Sequence, residues 1–583
     1  MLFSKHFFKY YLKYIIPYAI GIGVLLVIDF IQLYIPQYIG QIIDELRGSQ
    51  DVTYMQSLLL QIGLLAMGIT IGRFIWRFTI FGASRRIQFD LMNTMFIHAT
   101  NLQQSFYSEE KVGGMMAYYT NDLETIRNAY GPGILMLVDG LALGTFAVIR
   151  MVRLNATMTL YAGIPMLLML IFLVFILRKF QKLFKTRQAS FEALSDFTQE
   201  NFSGISVIRA YVKEFQQKAT FQLKSSDLYE KTIGFVKYFV AFQIIIGITI
   251  NITILFIVIY GSSTVIQTTN LTIGELTSYM AYFFTLIWPI MALAQFFSIQ
   301  SQAKASAERI GEYLDTEVTV KDQEHALEVE LKGNIELKNL TFQYPDGDNP
   351  VLKNISFDIK KGEMVGILGR TGSGKSSLVD LFLRTYNIDH NMFFIDGYDV
   401  MDLKINRVRD LMGYVPQDNF LFSETILDNI LFAFDEKDEA LAEKAAKLSD
   451  VHDNISEFKD QYETMLGERG VTVSGGQKQR LSIARAIAKD PEILILDDSV
   501  SAVDTKTEEA IISNLFNIRK NKTTIFIAHR ISTVKRMDKI ILLDQGELVG
   551  IGNHESLLKT SPLYQDMVKR QQLEIMVESE EAS

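Results

Sequence analysis

The chain has 583 residues, 49% of them apolar and 21% charged, a formal net charge of −9 and no cysteine. Such a length holds several domains. The acidic balance argues against nucleic acid as a partner, because backbone binding needs a dense basic surface. The lack of cysteine excludes disulfides, Fe–S clusters and thiol catalysis.

In chain order, a basic N-terminus (Lys5, Lys9, Lys13) leads into an apolar run too long for a signal-peptide core. A helix needs about 20 mostly apolar residues to cross a bilayer. Six stretches qualify, at roughly 14–36, 57–79, 131–150, 157–178, 238–262 and 273–297. Short loops follow the first, third and fifth, and long polar stretches follow the second and fourth, so some helices are expected to run well past the bilayer. Lys and Arg near the ends set orientation. The N-terminus and the stretch with Arg178, Lys179, Lys182, Lys185 and Arg187 are basic, whereas the loop near 262–272 has neither residue. Both termini and both long stretches are therefore expected in the cytoplasm of a multi-pass cell-membrane protein. Arg150 and Arg153 oppose this topology and are outvoted. Asp29, Asp139, Gln243 and Asn251 lie within spans. An ionisable group there is a functional candidate; the plainer reading is a paired or water-facing carboxyl. The aromatic residues of the sixth span, from Tyr279 to Phe297, suit an amphipathic ligand and suit ordinary packing equally.

From about residue 334 the pattern becomes short apolar strands, glycine turns and amphipathic helices. The strand Met364–Leu368 runs into Gly369-Arg370-Thr371-Gly372-Ser373-Gly374-Lys375-Ser376-Ser377, a GxxxxGK[ST] loop in its strand–loop–helix setting. Glycines let backbone N–H groups approach phosphates, and the helix that follows turns its positive end toward them. Lys375 is expected on the β- and γ-phosphates of ATP and Ser376 on Mg²⁺. A second strand, 493–496, ends in Asp497-Asp498, where a carboxylate beside a phosphate loop holds Mg²⁺; Asp497 takes that role. Between them, Ser474-Gly475-Gly476-Gln477 opens another helix, a second anion-binding end that one nucleotide does not need.

These motifs, in this order, resemble the ABC transporter superfamily, whose signature LSGGQ has Val473 here in place of leucine. The resemblance implies two ATP-binding domains facing each other head to tail, the signature of one closing over the γ-phosphate held by the other. It further implies adenine stacking by Tyr344, Mg²⁺ and water sensing by Gln417, an interface loop at Asp504 and a γ-phosphate contact by His529. The segment 467–470 resembles the exporter motif that touches the membrane domain. The stretches 113–124 and 201–210 resemble the two cytoplasmic coupling regions. Membrane block first and ATPase second is the exporter order. The fold expected is an all-α six-helix transmembrane domain (1–310), a linker (311–333), an α/β P-loop, RecA-like ATP-binding domain (334–572) and an acidic, unstructured tail (573–583).

One departure matters. The family's water-polarising glutamate is Asp498 here. Its carboxylate falls short by about an ångström, a misplacement able to cost ~10²-fold in rate. The intact signature implies the opposite capacity, completing a partner's site. The expected unit is a heterodimer with a homologous half-transporter, resembling bacterial multidrug exporters that pair a degenerate site with an active one. Rivals are a homodimeric lipid flippase, a peptide exporter and a nucleotide-gated channel or regulatory subunit.

Overall fold

The computed structural model describes residues 6–110, 112–267, 271–467, 473–499 and 503–581. It divides the chain into two compact units, Met1–Phe96 with Gly113–Asp315, and Ile97–Val112 with Thr316–Ser583.

The first unit is helical: α1 (Ile15–Gln32), α2 (Tyr34–Arg47), α3 (Val52–Trp76), α4 (Ile134–Leu154), α5 (Ala156–Ser203), α6 (Glu214–Gln267) and α7 (Ile273–Asp315). Among the described residues five helical runs are long and apolar enough to cross a membrane, Ile15–Arg47, Val52–Asn101, Gly113–Leu154, Glu214–Ile266 and Ile273–Asp315. The fourth expected span starts with α5. Its apolar part is described over Ala156–Leu168, and the side chains of 169–178 lie outside the described residues. Small residues let backbones meet, as membrane helices require. A Cβ on Gly274 of α7 would sit 2.0 Å from the Gly40 carbonyl of α2, so neither position admits a larger residue without separating the two helices. Asp44 locks the same crossing by accepting the Gly274 N–H at 2.8 Å.

The sixth span's aromatics divide, with Phe284, Trp288 and Phe297 exposed and three others packed inside. Tyr279, Tyr282 and Phe283 are buried in the unit's core, with the Tyr282 hydroxyl donating to Leu33 O at 2.9 Å and that of Tyr279 to Thr159 at 3.1 Å. Asp29 is buried, and Asp139 accepts from the Trp288 indole. Asn251 returns its amide to Gly247 O within its own helix.

α5 and α6 pack along each other through Phe180 on Phe235 (4.8 Å between rings) and a Ser190–Asp227–Lys231 network. They join through Gly204 and the short helix Ile205–Ala210. Around that junction Phe202, Tyr211, Val212 and Phe215 are 73%, 72%, 80% and 86% exposed. The other expected coupling stretch lies differently. The segment grouped with the second unit is Ile97–Val112, just before 113–124. Asn121–Glu124 is anchored within the first unit, because the buried Asp122 carboxylate receives Ser306 Oγ at 2.7 Å and Arg309 Nε at 3.1 Å.

The second unit holds two sheets. The strands β1 (Ile335–Phe342), β2 (Leu352–Ile359), β4 (Phe393–Ile395) and β5 (Tyr398–Asp399) form an antiparallel sheet in the order β2-β1-β4-β5. The other sheet runs β10-β9-β3-β8-β7-β6, with β3 (Met364–Gly369), β6 (Met412–Val415), β7 (Ile493–Asp497), β8 (Thr523–Ala528) and β9 (Lys539–Asp544) parallel and β10 (Glu547–Gly552) antiparallel. Every residue of β3, β7 and β8 is buried, as expected for parallel strands covered on both faces. The helices that matter for the site are α8 (Lys375–Phe382), α9 (Gly475–Ala488), α10 (Thr505–Ile518), α11 (Ile531–Val534) and α12 (Pro562–Glu581). The acidic tail is thus helical in its backbone to Glu581, contrary to the expectation of an unstructured end. α12 is nucleated by Tyr564, fully buried in the core beneath it, and a helix once started extends cheaply.

Candidate nucleotide-binding site

Strand order assembles the site. β8 lies between β3 and β7, with Ala528 opposite Leu368 and Ile527 opposite Asp497. The strands end level, so the Gly369 loop, Asp497-Asp498 and His529 meet at their carboxyl ends, where open parallel sheets place ligands. β6 adds Val415 opposite Leu496, which brings the exposed Gln417 to the same edge.

The loop from Gly369 fits a polyphosphate. Gly372 and Gly374 have φ of +80° and +93°, which L side chains rarely adopt. A Cβ on Gly374 would also strike Leu352 at 2.6 Å. No side chain caps the start of α8, so its first N–H groups stay available. Ser373 Oγ is buried without a hydrogen-bond partner. Lys375 is buried and donates to the Gly369 and Arg370 carbonyls at 2.9 and 3.0 Å. Burial holds its ammonium below the usual lysine range, against the pull of Asp497 and Asp498. Arg370, Thr371 and Ser376 are exposed, Ser377 is buried, and Arg370 lies 3.6 Å from Asp566 of α12.

Burial, with the Asp498 charge beside it, pushes the Asp497 carboxyl up to about 6 despite Lys375. Asp498 itself has a left-handed backbone, φ +44°, and its N–H bonds Ile527 O at 2.9 Å. His529 is held below the ordinary imidazole range, first by burial of its ring and then by Lys375, with Asp498 acting the other way. Tyr344 is half-buried: its hydroxyl donates to Asp380 at 3.2 Å and lies 2.8 Å from the Ser377 hydroxyl, and its ring meets Phe342 and Tyr386 edge-on.

The signature residues form the head of α9, whose Gln479 Nε2 donates to Asp498 O at 3.2 Å. Ser474 Oγ accepts from Gln477 N at 3.3 Å and Gln477 Oε1 from Ser474 N at 2.9 Å, a capping box. Gly475 is exposed beside them and Gly476 half-buried. Val473 points the other way, 8% exposed in a core with Leu421, Tyr462 and Leu481. The departure from leucine is therefore a packing change and leaves the anion-facing residues alone. Asp504 caps α10, accepting from Lys506 N and Thr507 N at 3.1 Å each. Glu468, Arg469, Gly470, Val500, Ser501 and Ala502 lie outside the described residues.

Sequence reasoning missed the residues that hold these loops. Arg485 of α9 donates to Phe420 O at 3.0 Å and Asn429 O at 2.7 Å, tying the signature helix to the segment after Gln417. Gln571 of α12 accepts from Ile531 N at 2.6 Å, two residues past His529. Neither has a local sequence signal.

The ABC transporter transmembrane region model matches residues 18–290, and the ABC transporter model matches 352–501. The chain is 34% identical to the probable multidrug resistance ABC transporter ATP-binding/permease protein YheI of Bacillus subtilis, over 89% of each chain. It is 36% identical to the multidrug resistance-like ATP-binding protein MdlA of Escherichia coli, over 88% of this chain and 86% of that one. It is 31% identical to the ATP-dependent lipid A-core flippase of Photobacterium profundum, over 82% of each. In fold it matches a bacterial Atm1-family ABC exporter with ATP bound, with a TM-score of 0.78, 24% identity and coverage of 95% and 98%. A membrane-spanning helical unit, a phosphate loop at the end of a buried parallel sheet and these relatives lead to one assignment: the chain is an ABC transporter, homologous to multidrug exporters, with its transmembrane and ATP-binding domains in one polypeptide.

Proposed function

We propose that this chain is one half of a heterodimeric exporter in the cytoplasmic membrane, moving amphipathic molecules outward, and that the ATP site on its own phosphate loop turns over slowly. The observation that carries the slow site is Asp498. The family's position for the water-polarising glutamate holds a side chain one methylene shorter, on a backbone already pinned to Ile527 and in a left-handed conformation. It cannot advance without breaking that pairing. Loss of a positioned general base costs about 10²–10⁴-fold.

Gly369–Ser377 and Lys375 would bind the phosphates of ATP, with Tyr344 against the adenine once its hydroxyl leaves Ser377. Ser376, Asp497 and Gln417 would hold Mg²⁺, which neutralises phosphate charge. His529 would meet the γ-phosphate. Ser474–Gln477 and Asp504 would complete the partner's site. ATP then favours the closed pair of domains, and this differential affinity is what reorients the membrane helices. Two features support a second chain. The exposed apolar tip at Phe202, Tyr211, Val212 and Phe215 has little reason to face water. The signature has no nucleotide of its own to serve. An apolar cavity of about 840 Å³ beside α4, α5 and α7, lined by Gly144, Thr159, Pro289 and Leu293 among others, suits an amphipathic cargo.

The test is purification from native membranes followed by ATPase assay. A second, homologous chain in equal amount, with turnover that survives Lys375→Ala here and is lost on the matching change in the partner, is the expected result. A homodimer with fast turnover favours the lipid-flippase reading, which the 31% identity to such a protein keeps in play. Nucleotide binding without uphill movement of any solute favours a channel or regulator.

A further inference from the structure

The five residues after His529 are held by a buried carboxylate that no nucleotide contact explains. Glu508, on the first turn of α10, is 4% exposed. Its Oε1 accepts a 2.6 Å hydrogen bond from Thr533 Oγ1 of α11, and its Oε2 lies 3.8 Å from Arg530 Nη1. Thr533 is itself 3% exposed. Glu508 is joined to Asp504 by one helical turn, its N–H bonding Asp504 O at 2.9 Å. The end of the same short segment nearer His529 is fixed by Gln571 on Ile531 N.

A buried charge is costly, and an apolar side chain of similar size fills such a place more stably. Here the carboxylate joins two loops distant in sequence. On one side is Asp504, which opens α10; on the other is His529, which ends β8 beside Lys375. With Thr533 bonded to Glu508 and Ile531 to α12, α11 cannot shift without carrying the start of α10 with it.

We infer that Glu508 is a positioning residue that couples the loop of His529 to the loop of Asp504, so that ATP seated on Lys375 alters the surface this chain offers at Asp504. The inference rests on the reading of His529 as a nucleotide contact and of Asp504 as an interface residue. It supplies a use for a slow site: occupancy there is reported across the subunit boundary whether or not hydrolysis follows.

The experiment is hydrogen–deuterium exchange on the full-length chain in lipid nanodiscs, with and without Mg-ATP. In the wild type, ATP is expected to slow exchange at 369–377, at 529–534 and at 503–508. Thr533→Val removes the donating hydroxyl with little change of shape. It should abolish the slowing at 503–508 and leave that at 369–377 intact. Glu508→Ala should do the same, and Glu508→Gln, whose amide oxygen still accepts from Thr533, should restore it. A purely structural role would lower thermal stability in these variants and leave the ATP-dependent pattern unchanged. Slowing at 503–508 that persists in Thr533→Val overturns the coupling. So does wild-type protein that slows at 369–377 and never at 503–508. Wild-type protein that slows nowhere overturns the nucleotide reading, and the coupling with it.

Discussion

Two helices of the ATP-binding unit start at ends suited to anions, and they start differently. α8 begins at Gly374 with no side chain over its first amides. α9 begins at Ser474 with the Ser474–Gln477 box holding the amides of those two residues and leaving aside those of Gly475 and Gly476 between them. The helix dipole offers both ends to negative charge. The first is left wholly open by its own sequence and has the buried Lys375 beside it. The second is partly capped by its own side chains and is exposed, with no buried lysine at its head. This contrast is what the proposal rests on: one end a site, the other half of a partner's.

The largest effect that sharpens this contrast is expected from Lys375→Ala. Removing one member of a desolvated charge pair costs about 2–5 kcal/mol, so binding of a fluorescent ATP analogue to the full chain should fall to background. Binding that survives would mean that the α9 end holds nucleotide unaided, and the contrast would collapse. Next in size is Asp498→Glu. If reach is the limit, single-turnover hydrolysis on this chain's loop should rise by up to ~10²-fold. An unchanged rate would assign the defect to the pinned, left-handed backbone at 498, which the substitution does not move.

The α8 end was legible in the sequence because its parts are contiguous: strand, glycine loop, lysine and helix all lie within Met364–Phe382. Asp497 was legible as a carboxylate at a strand end, but the meeting of the loop with His529 was not derivable from spacing, since it depends on β8 inserting between β3 and β7; only family resemblance supplied it. Val473 stands in the signature where the family has leucine, and burial shows it to be a core residue. Glu508, Arg485 and Gln571 gave no signal, because each acts on a segment 25 to 65 residues away through burial and one or two hydrogen bonds. The stretch 113–124 was assigned to coupling by resemblance; the bonds of Asp122 there to Ser306 and Arg309 are long-range and gave no signal in the sequence. Composition misled at the C-terminus, where a run of glutamates outweighed the anchor at Tyr564.

The pH response separates the two ends again. A metal ion needs Asp497 as a carboxylate, and the raised value of about 6 means that protons compete with Mg²⁺ as pH falls through that region. Below it, apparent Mg²⁺ affinity on this chain's loop should drop about tenfold per pH unit; above pH 7 it should be flat. Mg²⁺ titrations of nucleotide binding between pH 5 and 8 measure this. The Ser474–Gln477 box contains no group that titrates in that range, so a partner's site completed by it should follow the partner's own carboxylates.

The smallest effect is expected from Ser474→Ala. The serine's hydroxyl caps α9, and losing a cap costs about 1 kcal/mol. Gln477 Oε1 still accepts the N–H of residue 474, so the helix start is weakened and not lost. The loss should register as a lower melting temperature of the full chain, equal with and without ATP, because the hydroxyl touches no nucleotide within this subunit. In the assembled pair the same change removes a donor from the facing phosphate, so turnover at the partner's site should fall while ATP affinity at Lys375 stays constant. A fall in affinity at Lys375 instead would mean that α9 folds back onto its own chain's nucleotide, and the division into one open and one partly capped end would have to be given up.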